Sequence, residues 1–192
     1  MADPLYLSIW IKDLKQQNMM QNFESLLSLF PISSLRPGVE ALTVRAISDT
    51  EPELLDEVFE EPASLQQAIR QASQFLNEDC AYEMTTHWDL WRKVDDDWRL
   101  LPQQVVLSCF GPSYENDLRD HLRLALGWDD QFLPDQADPG SMVPVTSNLR
   151  SVARLAASMD ASHAVERRLL WSSGEESFLA QLEASVPGLR EG

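Results

Sequence analysis

The 192-residue sequence predicts an α+β fold, a mixed and largely antiparallel sheet with helices on one face. Three observations carry that prediction. Apolar residues recur at every second position in several short segments, at three- and four-residue steps in others, and the two kinds of segment interleave around a central hairpin. A ferredoxin-like topology, extended by a second related lobe, is the arrangement this order suggests. Residues 1–134 form the expected β-α-β-α-β-β-β main domain. Residues 135–192 form a helical or mixed segment that either packs on the same sheet or makes the second lobe.

The first strand is read from Leu5, Leu7, Ile9 and Ile11, which alternate with Tyr6, Ser8, Trp10 and Lys12. Met19, Met20, Phe23, Leu26, Leu27 and Phe30 then form a helical stripe that Pro31 ends. After the turn signal Ser33-Ser34-Leu35-Arg36-Pro37-Gly38, a second strand runs from Ala41 to Ile47. The segment from Glu51 to Glu61 sets six acids around Leu54, Leu55, Val58 and Phe59 and reads as a solvated edge. Ser64 and Gln67 make a reciprocal capping pair for a second helix, whose buried stripe is Leu65, Ala68, Ile69, Ala72, Phe75 and Leu76.

The stretch from Cys80 to Trp91 is the most informative. Tyr82, Met84, Thr86, Trp88 and Leu90 share one strand face, which leaves Glu83, Thr85, His87 and Asp89 on the other, facing solvent. Val94-Asp95-Asp96-Asp97 turns the chain into a short strand, Trp98 to Leu101, which Pro102 is expected to break. A further strand follows over Val105 to Phe110. Leu122, Leu124 and Leu126 mark another strand ending at Gly127, and the prolines between Phe132 and Val145 indicate a long loop. A helix is expected from Ser147, carrying Leu149, Val152, Ala153, Ala156 and Met159. Val165 to Trp171 fits helix or strand, and Ser173 with Glu176 caps a last helix bearing Phe178, Leu179 and Leu182.

Composition narrows function mainly by exclusion. With Lys+Arg 15 and Asp+Glu 31 the net charge is −16, which disfavours direct nucleic-acid binding, because affinity there rests on basic groups neutralising phosphates. No apolar run is long enough to cross a bilayer and the N-terminal residues do not form a secretory signal, so a cytoplasmic location is expected. Cys80 and Cys109 fall in strand-like segments and read as structural thiols. The sequence has no P-loop, dinucleotide-binding glycine fingerprint, nucleophile elbow, H-E-x-x-H or C-x-x-C pattern, and no metal or cofactor is expected.

Two groups of residues remain as candidate sites. Glu83, His87 and Asp89 are the only clustered titratable groups on one element, with Arg36 or Arg45 as anion-holding companions. Trp91 and Trp98 flank the hairpin and are candidates for contact with a partner protein.

The phrases Asp3-Pro4-Leu5-Tyr6-Leu7-Ser8-Ile9-Trp10, Leu35-Arg36-Pro37-Gly38, Trp88-Asp89-Leu90-Trp91 and Phe132-Leu133-Pro134 resemble an uncharacterised family of bacterial proteins of unknown function. The resemblance covers most of Pro4 to Pro134 and, more loosely, Arg168 to Ser172. None of these phrases is a catalytic motif, so it implies kinship and no chemistry. The expected function is a non-enzymatic protein-interaction module with an acidic surface. An enzyme or small-ligand binder around His87 is the alternative, and an acidic mimic of nucleic acid is the second alternative.

Overall fold

The computed structural model describes residues 3–133, 139–162 and 164–172. In chain order the elements are β1 (Pro4–Ile11), α1 (Gln16–Leu27), β2 (Val39–Ala46), β3 (Glu53–Ala63), α2 (Leu65–Ala72), β4 (Cys80–Val94), β5 (Asp97–Phe110), β6 (Leu122–Trp128), α3 (Met142–Asp160) and β7 (Val165–Ser172). The seven strands form one sheet in the order β3-β2-β4-β5-β6-β1-β7. All six ladders are antiparallel, so the sheet is not mixed, and none of them supplies the parallel pair that a ferredoxin-like βαβ unit would use.

The apolar period-two pattern sets the register. Val44, Tyr82, Cys109, Leu122 and Ile9 line up across five strands, and Leu42, Met84, Leu107, Leu124 and Leu7 form the adjacent row. Every one of these side chains is buried. A one-residue slip would turn both rows to the opposite face, at a cost of about 1.5–3 kcal/mol for each large side chain exposed. The same core takes in Met19, Phe23, Leu26 and Leu27 of α1, Leu65, Ala68, Ile69 and Ala72 of α2, and Leu149, Val152, Leu155, Ala156 and Met159 of α3. Phe30 meets Trp88 edge-on at 5.4 Å between ring centroids.

Local chemistry explains the ends of these elements. Ser64 Oγ accepts from the Gln67 amide at 3.2 Å while Gln67 Oε1 accepts from the Ser64 amide at 2.9 Å, which starts α2 as the sequence predicts. Asp95 and Asp96 close the β4–β5 hairpin with φ of 50° and 66°, a left-handed pair whose twist suits a two-residue turn.

Two expectations, at Pro102 and at Ser147, are revised, and two others, the solvated acidic edge and the helix-or-strand segment, are made specific. β5 runs unbroken through Pro102, which pairs with Asp89 in a part of the strand that extends past its ladder with β6 and so needs no second partner. The helix expected from Ser147 begins at Met142, because Pro144 sits within its first turn, where a missing N–H is harmless. The acidic segment is a paired edge strand, β3, with Leu55 and Phe59 against the core and Val58 76% exposed. Val165 to Trp171 resolves as strand β7 beside β1. The helix expected from Ser173 lies outside the described residues.

Candidate binding cleft

The polar face of β4 does not form one solvated row. Glu83 is drawn toward β2 and β5, where it meets Arg45 Nη1 at 3.2 Å and accepts from Ser108 Oγ at 3.3 Å. Asp89 braces the loop before β2: Ser33 Oγ donates to one carboxylate oxygen, and the Ser34 amide and hydroxyl donate to the other at 2.8 and 2.9 Å. Burial alone would push the Asp89 carboxyl up. The donors outweigh it and hold the group below its ordinary value.

His87, expected to face water, is only 3% exposed. The loop Ser33–Gly38 lies over this part of β4, with the Ser33 amide donating to the His87 carbonyl at 2.7 Å and Thr86 Oγ1 donating to the Gly38 carbonyl at 2.6 Å. The imidazole Nδ1 is buried without a hydrogen-bond partner, and Glu40 Oε1, itself paired with Arg36, stands 3.7 Å away. Burial depresses the His87 pKa, Glu40 and Asp89 oppose that, and Arg36 reinforces it. The structure therefore gathers His87, Asp89, Glu40 and Arg36 near one loop and leaves Glu83 and Arg45 in a separate pair. The clefts around Tyr114, around Gln67 and around Trp91 are lined by none of Glu83, His87 and Asp89. Among the described residues, no three His, Cys, Asp or Glu side chains converge as metal ligands.

The two candidate tryptophans do come together. Trp91 of β4 and Trp98 of β5 line one cleft of about 350 Å³ with Trp128, Leu133, Val145 and Ser141. Trp91 and Trp98 are half-buried and Trp128 is 47% exposed. Arg92, Lys93, Asp130 and Gln131 complete the wall.

Three separate stretches of chain are fastened to make this cleft. Trp91 Cβ direction and main chain are set by β4, and the side-chain amide of Asn148 on α3 grips that strand's edge. Its Oδ1 accepts from the Trp91 amide at 2.8 Å, and its Nδ2 donates to the carbonyls of Trp91 and Gln131, each at 2.9 Å. Gly127, with φ of 125°, turns the chain out of β6, and a side chain there would meet Gln131 Oε1 at 2.5 Å. That same oxygen accepts from the Trp128 amide at 3.2 Å, and Gln131 Nε2 donates to Gln103 of β5. Trp128 is thus placed by the glycine and by Gln131.

Sequence reading missed two participants. Trp128 lies thirty residues beyond Trp98 with no periodic link to the hairpin, and only its position just past the Gly127 strand end hinted at a fixed turn. Asn148 was hidden inside an apolar helical stripe. A second buried polar cluster was also missed. Arg123 reaches both oxygens of Asp120 at 2.8 and 2.9 Å, Asp120 accepts from Ser8 Oγ at 2.6 Å, and Trp171 Nε1 donates to that serine at 3.0 Å.

No family model, curated protein or solved structure matches this chain in the three comparisons. No helix among the described residues is long and apolar enough to cross a membrane.

Proposed function

We propose that this chain is a protein-binding module of the cytoplasm, non-enzymatic, that docks a partner at the cleft of Trp91, Trp98 and Trp128. The observation that carries the reading is the convergence of three partly exposed indoles from three stretches of chain in one concave site. Tryptophan is a favoured anchor at protein interfaces because it buries a large apolar area at little conformational cost. The positions are stiffened by Asn148 and Gln131, so little ordering is needed on binding. Free, buried Cys80 and Cys109 fit a reducing compartment.

The alternatives have less support. Catalysis or ligand capture at His87 requires neighbours with spare bonding capacity, yet Asp89 and Glu83 spend theirs on Ser33, Ser34, Arg45 and Ser108. Mimicry of nucleic acid requires acids in one row. Along β3, Asp56 and Glu60 alternate with Glu57 and Glu61 and so point to opposite faces, and Glu57 is occupied by Gln71.

The test is affinity capture with the full chain, a Trp98→Leu/Trp128→Leu variant and an Asp56→Asn/Glu60→Gln control, each checked for native fold by circular dichroism. A partner retained by the wild type and the control, and reduced about ten-fold or more by the tryptophan variant, supports the reading. Equal recovery by all three proteins overturns it.

A further inference from the structure

We infer that the free edge of β3 receives an extended, basic segment of a partner protein as an added strand, at a surface separate from the tryptophan cleft. β3 stands at the end of the strand order, with β2 as its one neighbour. Among the described residues no backbone group outside that ladder bonds to residues 53–62, so the amides and carbonyls on the outer side of the strand have no partner there. Such a row is a template for a further strand, because main-chain bonds form whatever side chains the incoming strand carries. Residues 55–58 pair regularly with β2, and register shifts lie on either side of them. Leu55 and Phe59 pack on the core, which turns Leu54 and Val58 to the opposite face, where they are 51% and 76% exposed. The usable template is therefore residues 54–58.

Charge chooses the occupant. β3 carries Glu53, Asp56, Glu57, Glu60 and Glu61 and no base, in a chain whose net −16 draws in basic partners. Glu53 is held by Arg45 and Glu57 by Gln71. Asp56 takes one long bond from Thr43 at 3.4 Å, and Glu60 has no hydrogen bond or ion pair with any described residue. Asp56 and Glu60 share the face of Leu54 and Val58. There the methylene stems of lysine or arginine would cover the two apolar side chains while their heads meet the two carboxylates. On the helix side, Phe59, Gln67, Gln71 and Gln74 line a cleft of about 550 Å³ beside the strand, with Glu61 and Arg70 as its charged groups. Arg70 opposes a cation on that side, so the matching strand alternates basic residues outward with apolar ones toward the cleft. A second copy fits less well. β3 against β3 sets acid on acid, and in β7, the basic strand at the other edge, Arg168 is paired with Asp160 and Arg167 is stacked on Trp10.

The experiment follows the backbone amides of the full ¹⁵N-labelled chain by NMR and hydrogen exchange. Three blocked heptapeptides are titrated in: alternating lysine and valine, the same peptide N-methylated at every amide, and alternating glutamate and valine. The N-methylated form keeps the charge and loses the main-chain donors. The lysine peptide is expected to shift the amides of residues 54–58 and to slow exchange of alternate ones by about ten-fold or more, while the other two bind about ten-fold more weakly. Val58→Lys, which sets a cation on the edge, is expected to weaken binding of the lysine peptide about ten-fold, and Glu60→Gln about three-fold.

If the N-methylated peptide binds as tightly as its parent, the contact is charge alone and the inference falls. It falls equally if the glutamate peptide matches the lysine peptide, or if no peptide moves these amides. If sedimentation shows the chain associating, and the β3 amides gain protection with its concentration, the edge belongs to a second copy and the partner strand is excluded. None of these results touches the indoles of the cleft, so the proposed function stands or falls separately.

Discussion

His87 and His121 show how individual residues depart from their sequence neighbourhood. Both imidazoles are depressed below the ordinary value near 6.5 by burial, and His121 Nδ1 also accepts from the Ile11 amide at 2.9 Å. A base with a lowered folded pKa binds fewer protons folded than unfolded. Its contribution to stability is therefore complete above the unfolded value and is lost as the pH falls below about 6.5 toward the folded one. Unfolding free energies from urea titrations should decline on acidification through that window, by up to about 1.4 kcal/mol per pH unit for each group. His87→Gln should flatten the decline. An unchanged slope in the variant would show that His87 is not held neutral by its surroundings. The groups facing it are Glu40, Arg36 and Asp89, and the first two arrive from the loop and β2. That is why the sequence placed His87 outside: alternation within one strand says which face a side chain takes and nothing about a loop fifty residues earlier that covers it.

At the scale of elements, much was legible because local pattern and tertiary role agreed. β1, α1, β2, α2, β4 and β6 follow their apolar periods, and the Ser64–Gln67 cap forms as read. The misreadings involve prolines, whose effect depends on context. Pro102 is tolerated because β5 has a single neighbour at that point, and Pro144 because it falls in a first helical turn, neither of which shows in composition. The cleft was half legible, since the hairpin declared Trp91 and Trp98 but only the folded sheet brings Trp128 beside them. The hairpin turn itself invites a test. Asp96 holds φ of 66°, a conformation glycine adopts without a Cβ clash. Asp96→Gly should raise stability by about 0.5–1 kcal/mol, read as a higher urea midpoint with unchanged slope. A lower midpoint would mean that the Asp96 contact with Lys93 outweighs the backbone strain.

For the molecule as a whole, two sets of side-chain contacts join distant parts of the chain beside the strand ladders. One is the apolar core, which unites the sheet and the three helices. The other is the Arg123–Asp120–Ser8–Trp171 chain, which links β6, β1 and β7 through residues up to 163 positions apart. Asp120 is fully buried, so removing its partner leaves an uncompensated charge. Arg123→Gln should cost about 3–5 kcal/mol by urea denaturation and loosen β7, whereas a loss under 1 kcal/mol would show that Asp117 or solvent compensates. Arg167→Gln, at a surface ring contact, serves as the milder comparison.

The β4–β5 ladder continues from Ala81–Phe110 out to Val94–Asp97, yet β2 flanks β4 only up to Thr85 and β6 flanks β5 only from Val106 inward. The outer half of this ribbon is a cantilever, tethered along its length by Ser33, Gly38 and Asn148. Its backbone amides near the tip can exchange with solvent through bending or fraying of that arm, while those at the root exchange only when the sheet itself comes apart. Asn148 ties the Trp91 main chain to Gln131, which in turn holds Trp128, so this brace on the outer half of the arm is also the joint on which the spacing of the indoles depends.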